Sequence, residues 1–188
     1  MLIAHAPAGF ITAKLLFPRF RRHSLPLIPF CVAGVLGGIA PDFDLLYYYL
    51  IDHRAHHHHG YFTHYPLFWG VLLVAAAIWA WRAESKRIAA LAFIFTLNGF
   101  GHLLLDSVVG GIRWLAPFSA KSYALARVHG PLHPVWLNFV LHWSFLLELA
   151  IVAWALWLLP GRSAVFGWME KRLAGAAAQS AARVPEGD

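Results

Sequence analysis

The segment IAALAFIFTLNGFGHLLLD, residues 88–106, decides the fold class. From position 88 to position 105 it is apolar apart from Thr96, Asn98 and His102. A helix needs about 20 predominantly apolar residues to cross the hydrocarbon core of a bilayer, and roughly 17 to 25 are tolerated. The segment therefore predicts a membrane-spanning helix.

Four more apolar segments lie along the chain. Residues 65–81 and 135–159 are long enough to span. Residues 2–17 and 25–40 are short or interrupted by proline and glycine, so they could span or lie buried against the other segments. We predict an all-α, polytopic helical membrane protein with about four to five membrane-embedded helices. Residues 1–160 would form a single membrane-embedded domain, and residues 161–188 an amphipathic or disordered tail.

The composition supports this class. Hydrophobic residues make up 60% of the chain and charged residues 13%, whereas a soluble domain is nearer half apolar and a quarter charged. The net charge of +6 comes largely from short basic blocks between apolar segments, which is a topology signal. Since no nucleic-acid-binding motif is present, we predict membrane lipid as a partner and no nucleic acid.

The basic blocks also predict an orientation. If all five segments cross, residues 19–22, residues 82–87 and the tail fall on one side, which the positive-inside rule puts in the cytoplasm. The polar residues His5, Asp42 and Asp44, the histidines of 53–64, and the residues at the end of 88–106 then meet at the opposite level. This predicts a site at the outer face.

His102 and Asp106 are the first candidates for that site. Residues four apart on a helix share a face, and Asn98 lies a further four positions back. Ionisable groups within membrane segments are costly and usually mark a functional site. The alternative is a structural His–Asp hydrogen bond between packed helices.

Asp42 and Asp44 form a second candidate pair, in Pro41-Asp42-Phe43-Asp44. Carboxylates are hard oxygen ligands for divalent cations. The alternative for either residue is a helix N-cap, because Asp after Pro often begins a helix.

The histidines form the third group. Six of them lie between positions 53 and 64, and imidazole is the commonest metal-ligating side chain. They cannot all bind one ion, so most of the run is expected to be a solvated loop. His59 and His64 are better placed, because Gly60 allows a sharp turn between them. His5, alone in an apolar segment, is by itself more often a structural histidine.

These elements, in this order, resemble the YdjM-type inner-membrane metal-dependent hydrolases. The resemblance rests on His5, Pro41-Asp42-Phe43-Asp44, His58-His59-Gly60-Tyr61-Phe62-Thr63-His64, the 98–106 helix with its Gly-x-x-x-His-x-x-x-Asp pattern, and the Trp/Pro loop of 110–118. It covers residues 1–118. It implies a helical enzyme of the bacterial inner membrane that holds a divalent metal such as zinc.

The chain departs from that pattern near the histidine run. His59 stands where the family has an arginine before glycine, and one extra residue separates Gly60 from Thr63-His64. Which of His58 and His59 aligns with the family histidine is therefore left open.

Our leading hypothesis is a hydrolase in which metal-activated water attacks an ester or phosphoester, including those of amphiphilic or lipid substrates. No P-loop, HExxH or nucleophile-elbow motif supports another mechanism. Asp44 and Asp106 are the candidate catalytic carboxylates, and Arg54 or Arg113 could meet an anionic group. The predicted metal ligands are His5, Asp42, Asp44, His59, His64, His102 and Asp106.

Two alternatives belong to other classes. A metal transporter or sensor would use the histidine run as a collector and need a polar path, which Asn138, His142 and Glu148 could supply. A non-enzymatic membrane scaffold would use its polar residues only to hold helices together, so the candidate ligands would not converge.

Overall fold

The computed structural model describes residues 1, 3–20, 25–128, 130–134 and 136–159. Regular structure in these residues is helical, apart from an isolated antiparallel bridge between Ile112 and Tyr123. The all-α prediction is therefore confirmed for this part of the chain. The α-helices are α1 His5–Phe20, α2 Leu27–Ile39, α3 Asp44–Leu50, α4 Pro66–Arg82, α5 Lys86–Asp106, α6 Trp136–Val140 and α7 Ser144–Trp157.

Helix α5 is the packing centre. It contacts α2 on one side and α4 on another, and α1 packs mainly on α2. Ala90 and Ile94 of α5 are fully buried in one core cluster with Phe30 of α2. Because these side chains are apolar and enclosed, they fix which face of α5 points inward.

Two glycines let α2 approach its neighbours closely. A Cβ atom at Gly37 would lie 2.1 Å from the carbonyl oxygen of Phe95 on α5, and one at Gly38 would lie 2.6 Å from the carbonyl oxygen of His5 on α1. Small residues at such contacts are typical of helix packing in membranes. The close approach brings the rings of His5 and His102 into a stack with centroids 3.7 Å apart.

The chain bends after α2. A 3-10 turn, Pro41–Phe43, leads into the short helix α3, and the α2 axis meets the following pair at 56°. Proline at the first position of the turn suits this geometry, since its φ is fixed and it needs no amide donor. The bend places Asp42 and Asp44 just beyond the C-terminal end of α2.

One helix among the described residues is long and apolar enough to cross a bilayer, namely α5 with its 21 residues. A second span is reached only if α2 and the bent continuation to Leu50 count as one. Helices α4 and α7 are apolar but shorter, with 17 and 14 residues. The predicted four to five spans are therefore not confirmed.

The apolar segment 135–159 is not one long helix, as its hydropathy suggested. It forms α6 and α7, separated by residues 141–143. The Nδ1 atom of His142 lies 2.9 Å from Ser144 Oγ and accepts a hydrogen bond from Ser144 N at 3.3 Å. This side chain bonds the first amide of α7, which otherwise has no intrahelical partner, so the helix restarts there.

The chain divides into two compact units, Met1–Ala155 and Leu156–Asp188. All residues discussed below belong to the first. The prediction that residues 1–160 form a single membrane-embedded domain stays a prediction. The predicted amphipathic or disordered tail, residues 161–188, lies outside the described residues.

Candidate metal centre

Four of the predicted ligands converge beside the bend. Ligand atoms of Asp42, His64, His102 and Asp106 all lie within 4.8 Å of one another. His102 Nε2 is 3.1 Å from Asp106 Oδ2 and 3.5 Å from Asp42 Oδ1. His64 Nε2 is 3.6 Å from the same Asp42 oxygen. We call these residues the four-ligand cluster; their mutual distances suit a single ion between them.

The second ring nitrogen of His102 fixes the direction of its lone pair. Nδ1 lies 2.8 Å from the carbonyl oxygen of Gly38 on α2. A carbonyl can only accept, so Nδ1 carries the hydrogen; in the neutral ring, Nε2, which faces Asp42 and Asp106, then carries the lone pair. His102 is thus oriented as a metal ligand.

His64 is oriented by a carboxylate. Its Nδ1 atom lies 2.8 Å from Asp44 Oδ2, which also accepts a hydrogen bond from Thr63 Oγ1 at 2.6 Å. The indole of Trp69 in turn donates to the carbonyl oxygen of Thr63 at 2.7 Å. A carboxylate behind a ligating histidine is the usual arrangement in metal sites, where it fixes the ring and raises its basicity.

The second carboxylate oxygen of Asp44, which does not contact His64, faces the histidine run. Its Oδ1 atom lies 3.8 Å from His58 Nδ1, and Asp42, Asp44, His58 and His64 form another group whose ligand atoms lie within 4.8 Å of one another. Asp44 therefore combines an orienting bond to His64 with a position from which it could ligate. Its predicted catalytic role stays a prediction.

His5 and His59 flank the cluster on the side of Asp106. His5 Nε2 is 3.1 Å from Asp106 Oδ1, and His59 Nε2 is 3.3 Å from Asp106 Oδ2. Both histidines and the aspartate are buried. The N-terminal amine of Met1 also contacts Asp106. All seven predicted ligands are thus gathered in one region of the molecule.

Several buried polar atoms in this region have no hydrogen-bond partner among the described residues. Burying unpartnered polar groups is costly, whereas divalent cations bound within the ligand groups described above would supply partners for them. Imidazole and carboxylate donors suit zinc in particular. The atoms are His5 Nε2, Asp44 Oδ1, His58 Nδ1, His59 Nδ1, His64 Nε2, His102 Nε2 and Asp106 Oδ2.

The histidines of the run differ in whether their side chains face solvent or the cluster. His56 is exposed and bonds Asp52, with Nδ1 2.8 Å from Oδ1. His58 and His59 both turn inward, His58 toward Asp44 and His59 toward Asp106. Both residues therefore face the site, and which of them aligns with the family histidine stays open.

Burial and charge move the pKa values of two neighbouring histidines in opposite directions. Burial lowers the pKa of His59 to about 4, although Asp106 partly opposes this. Burial would also lower the pKa of His64, but the carboxylates of Asp42 and Asp44 outweigh it and raise the pKa to about 9. In the metal-free protein at neutral pH, His59 is therefore neutral and His64 is protonated.

A cavity of about 460 Å³ opens onto the cluster. Asp42, His59 and Asp106 line it on one side, and Gly110, Ser122 and Arg127 are among the residues that line it elsewhere. A buried reactive group beside a cavity of this size is the ordinary arrangement of a small-molecule site.

The two arginines suggested for anion binding lie elsewhere. The guanidinium of Arg54 sits over the ring of Tyr49, 5.2 Å from its centroid. Arg113 lines a neighbouring cavity of about 360 Å³ with Asp52 and Tyr61. Arg127, which the sequence did not single out, is the arginine that lines the cavity at the cluster.

Other participants were also missed. Thr63 could have been found, because it directly precedes His64 and its hydroxyl can reach a carboxylate. The Gly38 carbonyl carries no sequence signal, since any residue has one. Asn98 was placed on the polar stripe with His102, but its amide donates to the carbonyl oxygen of Ile94 in its own helix.

The fold and the site together define a class: an apolar, all-helical protein of the membrane type with a buried His/Asp cluster of metal-ligand chemistry. The chain belongs to the YdjM inner membrane protein family, whose family model matches residues 1–174. The match extends well beyond residues 1–118, where the resemblance was recognised. Comparison with curated proteins gave no significant match, and neither did comparison with solved structures.

Proposed function

We propose that this protein is a membrane-bound, metal-dependent hydrolase acting on an ester or phosphoester. The observation that carries the proposal is the four-ligand cluster. Its ligand atoms lie close to one another, several of them have no hydrogen-bond partner, and the cluster lies at the wall of a cavity. A bound divalent ion such as Zn²⁺ lowers the pKa of its water to about 7 in favourable sites and so supplies hydroxide near neutral pH.

The chain's own residues have separate tasks in this proposal. Asp42, His64, His102 and Asp106 would hold the ion, and Asp44 fixes the ring of His64. Asp44, which is not one of the four, takes the proton from the attacking water as general base, whereas the catalytic task of Asp106 is to hold the ion. The water oxygen bonds to the carbonyl carbon or phosphorus, the ester bond breaks, and the leaving alcohol oxygen receives a proton.

The proposal includes membrane embedding through four or five helices. Support comes from large apolar side chains on the outside of the molecule, including Ile28, Trp81 and Ile88, which are 75%, 75% and 69% exposed. Exposed apolar surface of this extent marks a lipid or partner contact. A site at the outer face also stays a proposal, since it depends on the crossings of the shorter helices.

The alternatives receive less support. The scaffold hypothesis required ligands that do not converge, and they do. The three residues that could form the polar path of a transporter make other contacts. Asn138 bonds the backbone of Leu132, His142 bonds Ser144, and Glu148 accepts a hydrogen bond from the Ile3 amide at 2.6 Å.

Metal analysis of the purified protein tests the proposal. Wild type should hold at least one divalent ion per chain, and His102→Ala and Asp106→Asn should lose it. Thr96→Val is the matched control on α5, because the Thr96 hydroxyl bonds only carbonyl oxygens of its own helix among its described hydrogen bonds. Metal-free wild type after supplementation with Zn²⁺ would overturn the proposal, as would metal-loaded protein with no chelator-sensitive hydrolysis across ester and phosphoester lipids.

A further inference from the structure

Asp44 carries one carboxylate oxygen that its contacts with His64 and Thr63 leave unused. Oδ2 accepts hydrogen bonds from His64 Nδ1 at 2.8 Å and from Thr63 Oγ1 at 2.6 Å. Oδ1 has no hydrogen-bond partner among the described residues, although the Asp44 side chain is only 5% exposed. A buried carboxylate oxygen without a partner is costly, so a cation at Oδ1 would remove an energetic penalty.

His58 presents a ring nitrogen to this oxygen. Its Nδ1 atom lies 3.8 Å from Asp44 Oδ1, and it too has no hydrogen-bond partner in the described part of the chain. That distance is longer than the roughly 2.7–3.2 Å of a hydrogen bond. Two atoms bound to one tetrahedral zinc ion, each at about 2.0–2.1 Å, lie roughly 3.4 Å apart. The spacing of the pair is therefore closer to that of two ligands of one cation.

Asp42 completes a ligand group around this pair. Ligand atoms of Asp42, Asp44, His58 and His64 all lie within 4.8 Å of one another. His64 cannot serve this group as well as the four-ligand cluster, because its Nδ1 bonds Asp44 Oδ2 and its Nε2 faces Asp42 and Asp106. A carboxylate has lone pairs on both oxygens, so Asp42 can bind one ion in each group. Three ligands therefore remain for a second ion.

Charge favours this group over a neighbouring one. His58, His59 and His64 also have ligand atoms within 4.8 Å of one another, but three imidazoles bring no negative charge to a buried dication. Asp42 and Asp44 bring two negative charges, and an uncompensated buried charge is costly. His58 and Asp42 also line the cavity of about 460 Å³, so an ion can reach this group from the cavity.

We propose that a second divalent ion binds between Asp44 and His58, shares Asp42 with the first ion, and inhibits the hydrolase. It takes Oδ1 of Asp44, which is the oxygen of the proposed general base that no described hydrogen bond occupies. With Oδ1 bound to a cation, Asp44 can no longer take the proton from the attacking water. The inference rests on the proposed function, to which it adds inhibition by excess metal.

Zinc titration of the intact, metal-free protein in detergent tests this inference, with calorimetry and metal analysis after dialysis as the readouts. Wild type should bind two ions per chain, the second more weakly because it has three protein ligands and shares one of them. His58→Ala should bind only one. His56→Ala is the matched control, because it removes a histidine of the same run that is exposed and bonds Asp52; it should bind two ions.

A second variant keeps the inference falsifiable if His58→Ala does not fold. His58→Phe retains an aromatic ring against the rings of Tyr48 and His57 but has no ligating nitrogen, so it should also bind a single ion. Two zinc ions in whichever of these variants folds would overturn the inference, because His58 would then not be a ligand.

Hydrolysis of ester and phosphoester lipids measures the inhibition. The wild-type rate should fall by roughly 100-fold or more as the second site fills, since a general base usually contributes at least that much. The rate of His58→Ala should not fall over the same range of free zinc. Wild type that binds a single ion, or that keeps its rate when the second ion binds, would overturn this inference alone. Wild type that binds no zinc would overturn the proposed function itself.

Discussion

Nδ1 of His64 and Oδ2 of Asp44 lie 2.8 Å apart, and this contact turns the other nitrogen of His64 toward Asp42. The chain contains a second pair with the same geometry outside the cluster, His56 and Asp52, with Nδ1 also 2.8 Å from a carboxylate oxygen. The two pairs allow the orienting function of Asp44 to be separated from the general effect of removing a carboxylate.

Replacing Asp44 by Asn should weaken zinc binding by roughly 10- to 100-fold, the usual effect of losing a carboxylate behind a ligating histidine. The physical reason is that an amide holds the His64 ring less firmly and makes it less basic. Competition with a chromophoric chelator measures the change. Asp52→Asn, which removes the equivalent bond to exposed His56, should leave the affinity unchanged; equal losses in both variants would contradict the assignment.

Zinc binding should strengthen as pH rises from about 6.5 to about 9. The pKa of His64 is raised to about 9 in the metal-free protein, so the ring must release a proton before it can ligate, and affinity should rise by up to roughly tenfold per pH unit. The stability of the metal-free protein changes with pH in the opposite direction. The stabilisation from protonated His64 is fully present below the unfolded pKa of about 6.5 and is lost as pH rises through about 9.

Calorimetry of zinc binding in two buffers of different ionisation enthalpy counts the released protons. We expect close to one from His64 at pH 7.5 and none from His59, whose lowered pKa of about 4 leaves it neutral. Binding without proton release at this pH would show that His64 is not a ligand.

Gly110→Ala should disturb the site. The new Cβ atom would meet His59 Cε1 at 2.5 Å and the carbonyl oxygen of Asp106 at 3.0 Å, so His59 must move from its place beside Asp106. We expect weaker zinc binding and reduced hydrolysis. Gly101→Ala is the control, because nothing lies within 4 Å of its Cβ position. As alanine is the better helix former, Gly101→Ala should raise thermal stability slightly, by up to about 1 kcal/mol.

The sequence predicted the parts of the site that local periodicity and residue type determine. The four-residue spacing of His102 and Asp106 placed both on one face of α5, and the two aspartates after Pro41 were recognised by their chemistry. The place of Arg127 in the cavity wall could not be predicted this way. It depends on the backbone hydrogen bonds that the two preceding residues, Leu125 and Ala126, donate to the carbonyl oxygens of Ser107 and Val108. The break before α7 was not predicted, because a hydropathy pattern contains no information about a side chain that bonds the first amide of a helix.

The position of the cluster along α5 sets the depth at which it would meet a substrate. Asp106 is the last residue of this 21-residue helix and His102 lies one turn earlier. At 1.5 Å per residue, α5 is about 30 Å long, which equals the hydrocarbon thickness of a bilayer. With α5 upright in a membrane, the cluster lies level with the junction between acyl tails and head groups. A lipid could then reach it by lateral diffusion within its own leaflet, in a two-dimensional search, with its tails never leaving the hydrocarbon layer.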